Sequence, residues 1–233
     1  MQTVQLSDAL TDFNLHRAWS KVYENQGCAG VDHQTLENFA EHLNRHLETL
    51  RNEVLYQTYR PLPLLRVDIE KPSGGKRPLS IPTVRDRVLQ TAVTRLIEPL
   101  FEAEFEECSF AYRKGRSVEQ AINRIQLLQR QGYQWVVDAD IEGFFDNIDH
   151  ALLLTQISQF ISDAELLKLI KQCIYCFMIG YSAVCLNVIS KHLKCRNCNS
   201  DWQTCLNPWK IRYVITGYVA RTNKKLSSMG RDN

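Results

Sequence analysis

Asp138 and Asp140 stand two residues apart in WVVDADIEGFFD, the apolar stretch from Trp135 to Asp146. The two-residue period of a strand puts Trp135, Val137, Ala139 and Ile141 on one face and Val136, Asp138 and Asp140 on the other. Both carboxylates therefore share the side away from the core. Carboxylate oxygens are the hard donors that magnesium prefers, and such an ion keeps several waters and takes further ligands from substrate phosphates. Neighbours on one strand face lie about 6.5–7 Å apart, so Asp140 is read as a single ligand and Asp138 as a supporting or surface acid.

A second constellation precedes the first. Lys71 and Arg77 flank Ser73, Gly74 and Gly75, so two long cations can reach from one turn toward one polyanion, for which a triphosphate is the natural guest. The GGK here is no NTPase phosphate loop, because no glycine stands at the position that opens such a loop and Arg77 stands where Ser or Thr would ligate the metal. A third pattern is Cys173, Cys176, Cys195 and Cys198, CxxC and CxxC separated by eighteen residues, a zinc-ribbon spacing. CIYC, however, lies in an apolar run that continues a helix without the glycines or prolines of a metal knuckle, so zinc is not expected. Cys28 and Cys108 stand singly and read as free thiols.

The elements that must hold these residues follow from pattern. Residues 7–26 read as a helix and residues 35–56 as a second, with Phe39, Leu43, Leu47, Leu50 and Val54 on one stripe. Gly27 to Asp32 is a loop. Pro61 and Pro63 end helical structure; Leu65, Val67 and Ile69 then alternate with polar residues as in an exposed strand, and Arg77 to Ile81 returns to complete a hairpin. Thr83 and Asp86 start a helix whose buried positions are expected at Val84, Val88, Ala92, Leu96 and Leu100, with Pro99 a kink. Ser117 and Gln120 form a capping box for a helix through Gln131 ended by Gly132, with Val118, Ala121, Ile122, Ile125 and Leu128 inward. Asp149 caps a helix through about Phe160, and Ser162 with Glu165 caps another.

Four ordered segments, GCAGVDHQT from Gly27, KPSGGKRPLSIPTVRDRVLQ from Lys71, SFAYRKGRS from Ser109 and VVDADIEGFFDNIDH from Val136, together resemble the N-terminal extension, fingertip, following block and first catalytic block of reverse transcriptases of the group II intron type. The resemblance covers roughly residues 15–170. It implies an α+β fold: an N-terminal helical extension over residues 1–60, reverse transcriptase fingers and partial palm over 61–170, and a divergent Cys-rich tail over 171–233. It implies that Asp140, helped by the carbonyl of Ile141, ligates Mg2+; that Lys71 and Arg77 clamp the phosphates of the incoming deoxynucleoside triphosphate; and that Phe145 crowds the sugar 2′ position. Phe144 is read as core, although residue type alone would let the two rings exchange roles. Arg113, Lys114 and Arg116 match a block that approaches the nucleic acid. The implied partners are an RNA template, a DNA primer, deoxynucleoside triphosphates and intron RNA.

The PQGG-type segment and the paired aspartates of a YADD strand have no counterpart in these 233 residues. The expectation is an incomplete polymerase, inactive as it stands, with a tail of the kind a frameshift leaves. A non-catalytic RNA-binding fragment and a C-terminal zinc-binding interaction module are the alternatives. Composition agrees with a globular chain: 44% of residues are hydrophobic and the net charge is +2. That charge is segregated, with seven bases against three acids in residues 60–87, five acids against one base in 88–110, and five bases against one acid in 111–130. Local basic patches of this kind grip phosphate by releasing counterions. The N-terminus lacks a secretory signal and a cytoplasmic location is expected. Gln172 to Ser190 is uncharged and nearly long enough for a membrane span, but its Gln, Tyr, Ser and Asn content argues against one.

Overall fold

The computed structural model describes residues 4–70, 74–133 and 149–176. Two compact units divide the chain, the first comprising residues 1–100 and 150–181, the second 101–149 and 182–233. The described elements are helices with one small antiparallel sheet, an α+β composition.

The first unit opens with helices α1 (Leu6–Ala9), α2 (Asp12–Glu24), α3 (Leu36–Glu41) and α4 (Leu43–Leu55). Two expected helices are thus each interrupted once. Between α1 and α2, Thr11 is a proper N-cap whose side chain accepts the N–H of Asn14 at 3.3 Å. Between α3 and α4, His42 sits at φ −127°, ψ 37°. Residue type does not announce this break, since His42 is neither proline nor glycine. Leu15, Ala18, Trp19 and Val22 of α2 are buried together with Phe39, Leu47, Leu50 and Val54. Trp19 stacks on Phe39 at 5.0 Å and Phe39 on His46 at 4.6 Å. A fully buried Phe such as Phe39 contributes about 1.5–3 kcal/mol by leaving water.

Strands β1 (Leu65–Glu70) and β2 (Lys76–Ile81) form the antiparallel hairpin, in the register Leu65↔Ile81 through Glu70↔Lys76. Helix α5 (Val84–Glu102) follows. Its buried stripe differs from the expected one: Val84, Val88 and Ala92 are buried as read, but further along the core takes Leu89, Val93, Ile97 and Phe101, while Leu96 and Leu100 are only half-buried. A strict four-residue step overruns the 3.6-residue turn and rotates off the face after three steps. Asn14 ties α2 to this helix, donating to the carbonyl of Ala92 at 2.9 Å.

Helices α7 (His150–Ile157) and α8 (Ala164–Cys176) complete the unit's described part, burying Leu153, Ile157, Leu166, Leu169 and Ile170. The cap of α8 is Asp163, not Ser162. Its carboxylate accepts the N–H groups of Glu165 at 2.9 Å and Leu166 at 3.0 Å, and reaches the N–H of Leu6 at 2.9 Å. Burial alone would raise this carboxyl's pKa, but those three backbone donors outweigh it and hold it below the ordinary value.

In the second unit, α6 (Val118–Arg130) has the expected capping box: Ser117 accepts the N–H of Gln120 and the Gln120 side chain accepts the N–H of Ser117, both at 3.2 Å. Gly132, at φ 92°, follows its C-terminus. Of its expected inward stripe, Ala121 and Leu128 are buried and Ile125 half-buried, whereas Val118 and Ile122 are exposed. Amphipathic spacing names a face, and only what covers the face decides how much of it is buried.

Candidate nucleotide and nucleic-acid interface

The hairpin expected from the sequence is present in strands β1 and β2. Gly74 and Gly75 take φ 86° and 83° just before β2, values an L side chain resists, which lets the chain reverse in few residues. Arg77 lies in β2 opposite Ile69. Lys71 and the Arg77 side chain lie outside the described residues. Strand β1 is solvent-exposed along nearly its whole length, so the hairpin stands out as a two-stranded ribbon.

Its two ends are fastened to α5 by one carboxylate. Asp86, fully buried, accepts the Tyr59 hydroxyl at 2.7 Å, the Thr83 hydroxyl at 2.7 Å and the N–H of Leu62 at 3.2 Å. Burial and then the neighbouring Asp86 carboxylate push the Tyr59 hydroxyl's pKa far up, so it stays a donor. Arg85 adds an ion pair to Glu53 at 2.8 Å and donates to the carbonyl of Arg60 at 2.8 Å. The loop from Gly27 packs on the same region: Arg87 donates to the carbonyl of Cys28 at 2.6 Å. A Cβ on Gly30 would lie 2.7 Å from Cα of Thr83. Burial lowers the Arg87 pKa, countered by Cys28 and Asp32. The sequence reading took Thr83 and Asp86 as a helix start and missed this junction. Their three-residue spacing was the one local signal for it.

The block from Ser109 to Arg116 revises one expectation. Arg113, read as facing nucleic acid, turns inward: its side chain is 5% exposed. Its guanidinium pairs with Glu102 at 2.6 Å and donates to the carbonyls of Glu106 at 2.9 Å and Ser109 at 2.8 Å, over the ring of Phe105 at 4.7 Å. Four of the guanidinium's five N–H donors are spent inside the fold, which leaves at most one for a phosphate. Lys114 and Arg116 are the exposed cations of the block, Arg116 lying 5.6 Å over the ring of Phe110.

Asp140, Ile141, Phe144 and Phe145 lie outside the described residues, as do Cys195 and Cys198. Cys173 is a buried thiol in α8. The described residues contain no group of three or more His, Cys, Asp or Glu able to hold a metal, and no helix long and apolar enough to cross a membrane.

A family profile described as Reverse transcriptase (RNA-dependent DNA polymerase) matches residues 69–207, more than half of the chain. The chain belongs to the reverse transcriptase family. The match runs past about residue 170, where the resemblance read from the sequence ends, into the stretch expected to be a divergent tail. Among its relatives, Protein YkfC of Escherichia coli is 36% identical over 156 residues, 65% of this chain and 40% of that protein. The group II intron-encoded protein LtrA of Lactococcus lactis is 35% identical over 157 residues, 66% of this chain and 25% of that protein. An uncharacterized 91 kDa protein in the cob intron of Schizosaccharomyces pombe is 31% identical over 169 residues, 69% of this chain and 20% of that protein. The chain thus resembles the group II intron type and spans well under half the length of these relatives.

Proposed function

We propose that the chain supplies the fingers and the first part of the palm of an RNA-directed DNA polymerase that copies RNA from a DNA primer with deoxynucleoside triphosphates. The observation that carries the reading is the free-standing hairpin, with Gly74 and Gly75 at its turn and Arg77 in its second strand. In the sequence Lys71 and Arg77 stand on either side of its turn, where a triphosphate can be met. In this reading Lys71 and Arg77 grip the phosphates, Arg77 by its planar fork and Lys71 as a point charge. Phe145 excludes the ribose 2′-hydroxyl. Lys114 and Arg116 contact strand phosphates and carry no base specificity, while Arg113 holds their loop. Residues 1–60 are the N-terminal extension, residues 61–170 the fingers and partial palm, and an intron RNA is a further partner.

The donor set of Asp140 carboxylate and Ile141 carbonyl is all oxygen and fits Mg2+. Those two residues would hold the ion, which when bound supplies charge neutralisation for phosphoryl transfer. A second reading, RNA binding without polymerisation, is favoured by the lack of a YADD motif in the 233 residues, since two-metal transfer needs carboxylates from more than one segment.

Photo-crosslinking of an azido-deoxyadenosine triphosphate to the 233-residue chain tests the clamp. Arg77→Ala should abolish labelling of the hairpin and leave RNA affinity nearly intact; unchanged labelling would sink the assignment. Primer extension with magnesium or manganese separates the two readings. The 233-residue polypeptide should extend no primer, and extension lost in Asp140→Asn would mean that another acid or a second chain completes the site.

A further inference from the structure

Among the described residues the strands of the hairpin pair only with each other, so the ribbon's direction is set where its two ends join the helices. Both ends meet Asp86. Leu62, which donates to Oδ2 at 3.2 Å, precedes β1; Thr83, which donates to the same oxygen at 2.7 Å, follows β2. Tyr59 holds Oδ1 at 2.7 Å. A carboxylate taken out of water needs such partners. Tyr59 and Leu62 bring the chain entering the ribbon to it, while Thr83, where the chain leaves the ribbon, stands at the start of the same helix turn and accepts the Asp86 N–H at 3.2 Å.

We propose that Asp86 is a positioning residue for the nucleotide-binding hairpin: it locks the ribbon's two feet together and so sets the direction of the strands from which the chain runs to Lys71 and Arg77. The proposal rests on the reading of those two residues as a phosphate clamp. Geometry makes the feet decisive. Six-residue strands carry the turn about 20 Å from its base, so a tilt of about 10° moves the tip by about 3.5 Å. A charge-assisted hydrogen bond spans about 2.7–2.9 Å and does not survive that displacement. Gly30 supports the lock from behind, because its missing side chain lets the N-terminal loop approach the backbone of Thr83.

The test uses the 233-residue chain with Asp86→Asn, the milder Tyr59→Phe, and Arg77→Ala as control, reading hydrogen exchange by peptide and crosslinking of azido-deoxyadenosine triphosphate. In Asp86→Asn, exchange over residues 62–83 should rise about tenfold or more, the size of losing a hydrogen bond to a charged group. Exchange in α2 and α4 should stay unchanged, and triphosphate labelling should fall. Tyr59→Phe should give the same pattern in smaller measure. Exchange rising equally throughout the unit in both variants would make Asp86 a merely structural residue and overturn the proposal. So would a hairpin that stays protected, or loosened feet with labelling unchanged. If Arg77→Ala labels like the unsubstituted chain, the clamp reading fails, and the proposal built on it falls too. Loss of labelling in Arg77→Ala but not in Asp86→Asn removes the proposal alone.

Discussion

Replacing Arg113 separates a side chain that holds a loop from one that holds RNA. Its guanidinium makes three contacts to the Glu102 carboxylate, Nε at 3.2 and 3.4 Å and Nη2 at 2.6 Å, and two to the carbonyls of Glu106 and Ser109. Breaking a fully buried ion pair from one side costs about 3–5 kcal/mol. Glu102, however, is 41% exposed, so water recovers much of its carboxylate, and the ionic part shrinks toward the roughly 0–1 kcal/mol of surface pairs. The two carbonyls left behind add about 1 kcal/mol each. Arg113→Ala should therefore destabilise the second unit by about 2–3 kcal/mol, read as faster hydrogen exchange over residues 101–133 and a lower urea midpoint. Its effect on RNA binding should be indirect: in the folded protein the slope of log affinity against log salt should stay the same. Lys114→Ala should do the reverse, leaving stability within about 0.5 kcal/mol and flattening the slope on single-stranded RNA by about 0.7, the value for one lost phosphate contact. An Arg113→Ala protein with unchanged exchange and a slope flattened like that of Lys114→Ala would refute the inward assignment.

Two pH-linked predictions concern the first unit. Asp163 has a folded pKa below the ordinary carboxyl value, so its stabilisation is present above about pH 3.9 and disappears as pH falls through the folded value. Asp163→Ala should cost about 1–2 kcal/mol at pH 7 through the lost cap, with the gap from the unsubstituted protein closing toward pH 2; a pH-independent gap would show that the carboxylate charge is not what binds the three N–H groups. Burial, then the charges of His42 and Arg45, lower the pKa of His46. Below about pH 6.5 the unfolded chain therefore binds more protons than the folded one, and stability declines as pH falls through that window. His46→Phe, which keeps an aromatic ring beside Phe39, should reduce the slope of urea stability between pH 7 and 5; an unaltered slope would remove His46 as a cause.

Features built from neighbours in the chain were legible without coordinates. The α6 capping box needs only Ser117 and Gln120 three residues apart, and the hairpin only alternation, two glycines and a flanking proline, because their hydrogen bonds close within a few residues. The blocks that place the chain in the reverse transcriptase family are likewise runs of residues in order. What the tertiary structure decided is where distant groups compete for one partner. Asp163, not Ser162, caps α8, and the carboxylate that does so also takes the N–H of Leu6 from the far end of the chain. Arg113 is withdrawn from the surface because Glu102 and two carbonyls surround it more completely than solvent does. Asp86 reads in sequence as an ordinary first-turn acid, yet in the fold Tyr59 and Leu62, far upstream, donate to it. Local hydrogen bonds can be written into sequence spacing, whereas a buried charge takes its partners from wherever the fold delivers them, since leaving it unpaired costs more than any local preference.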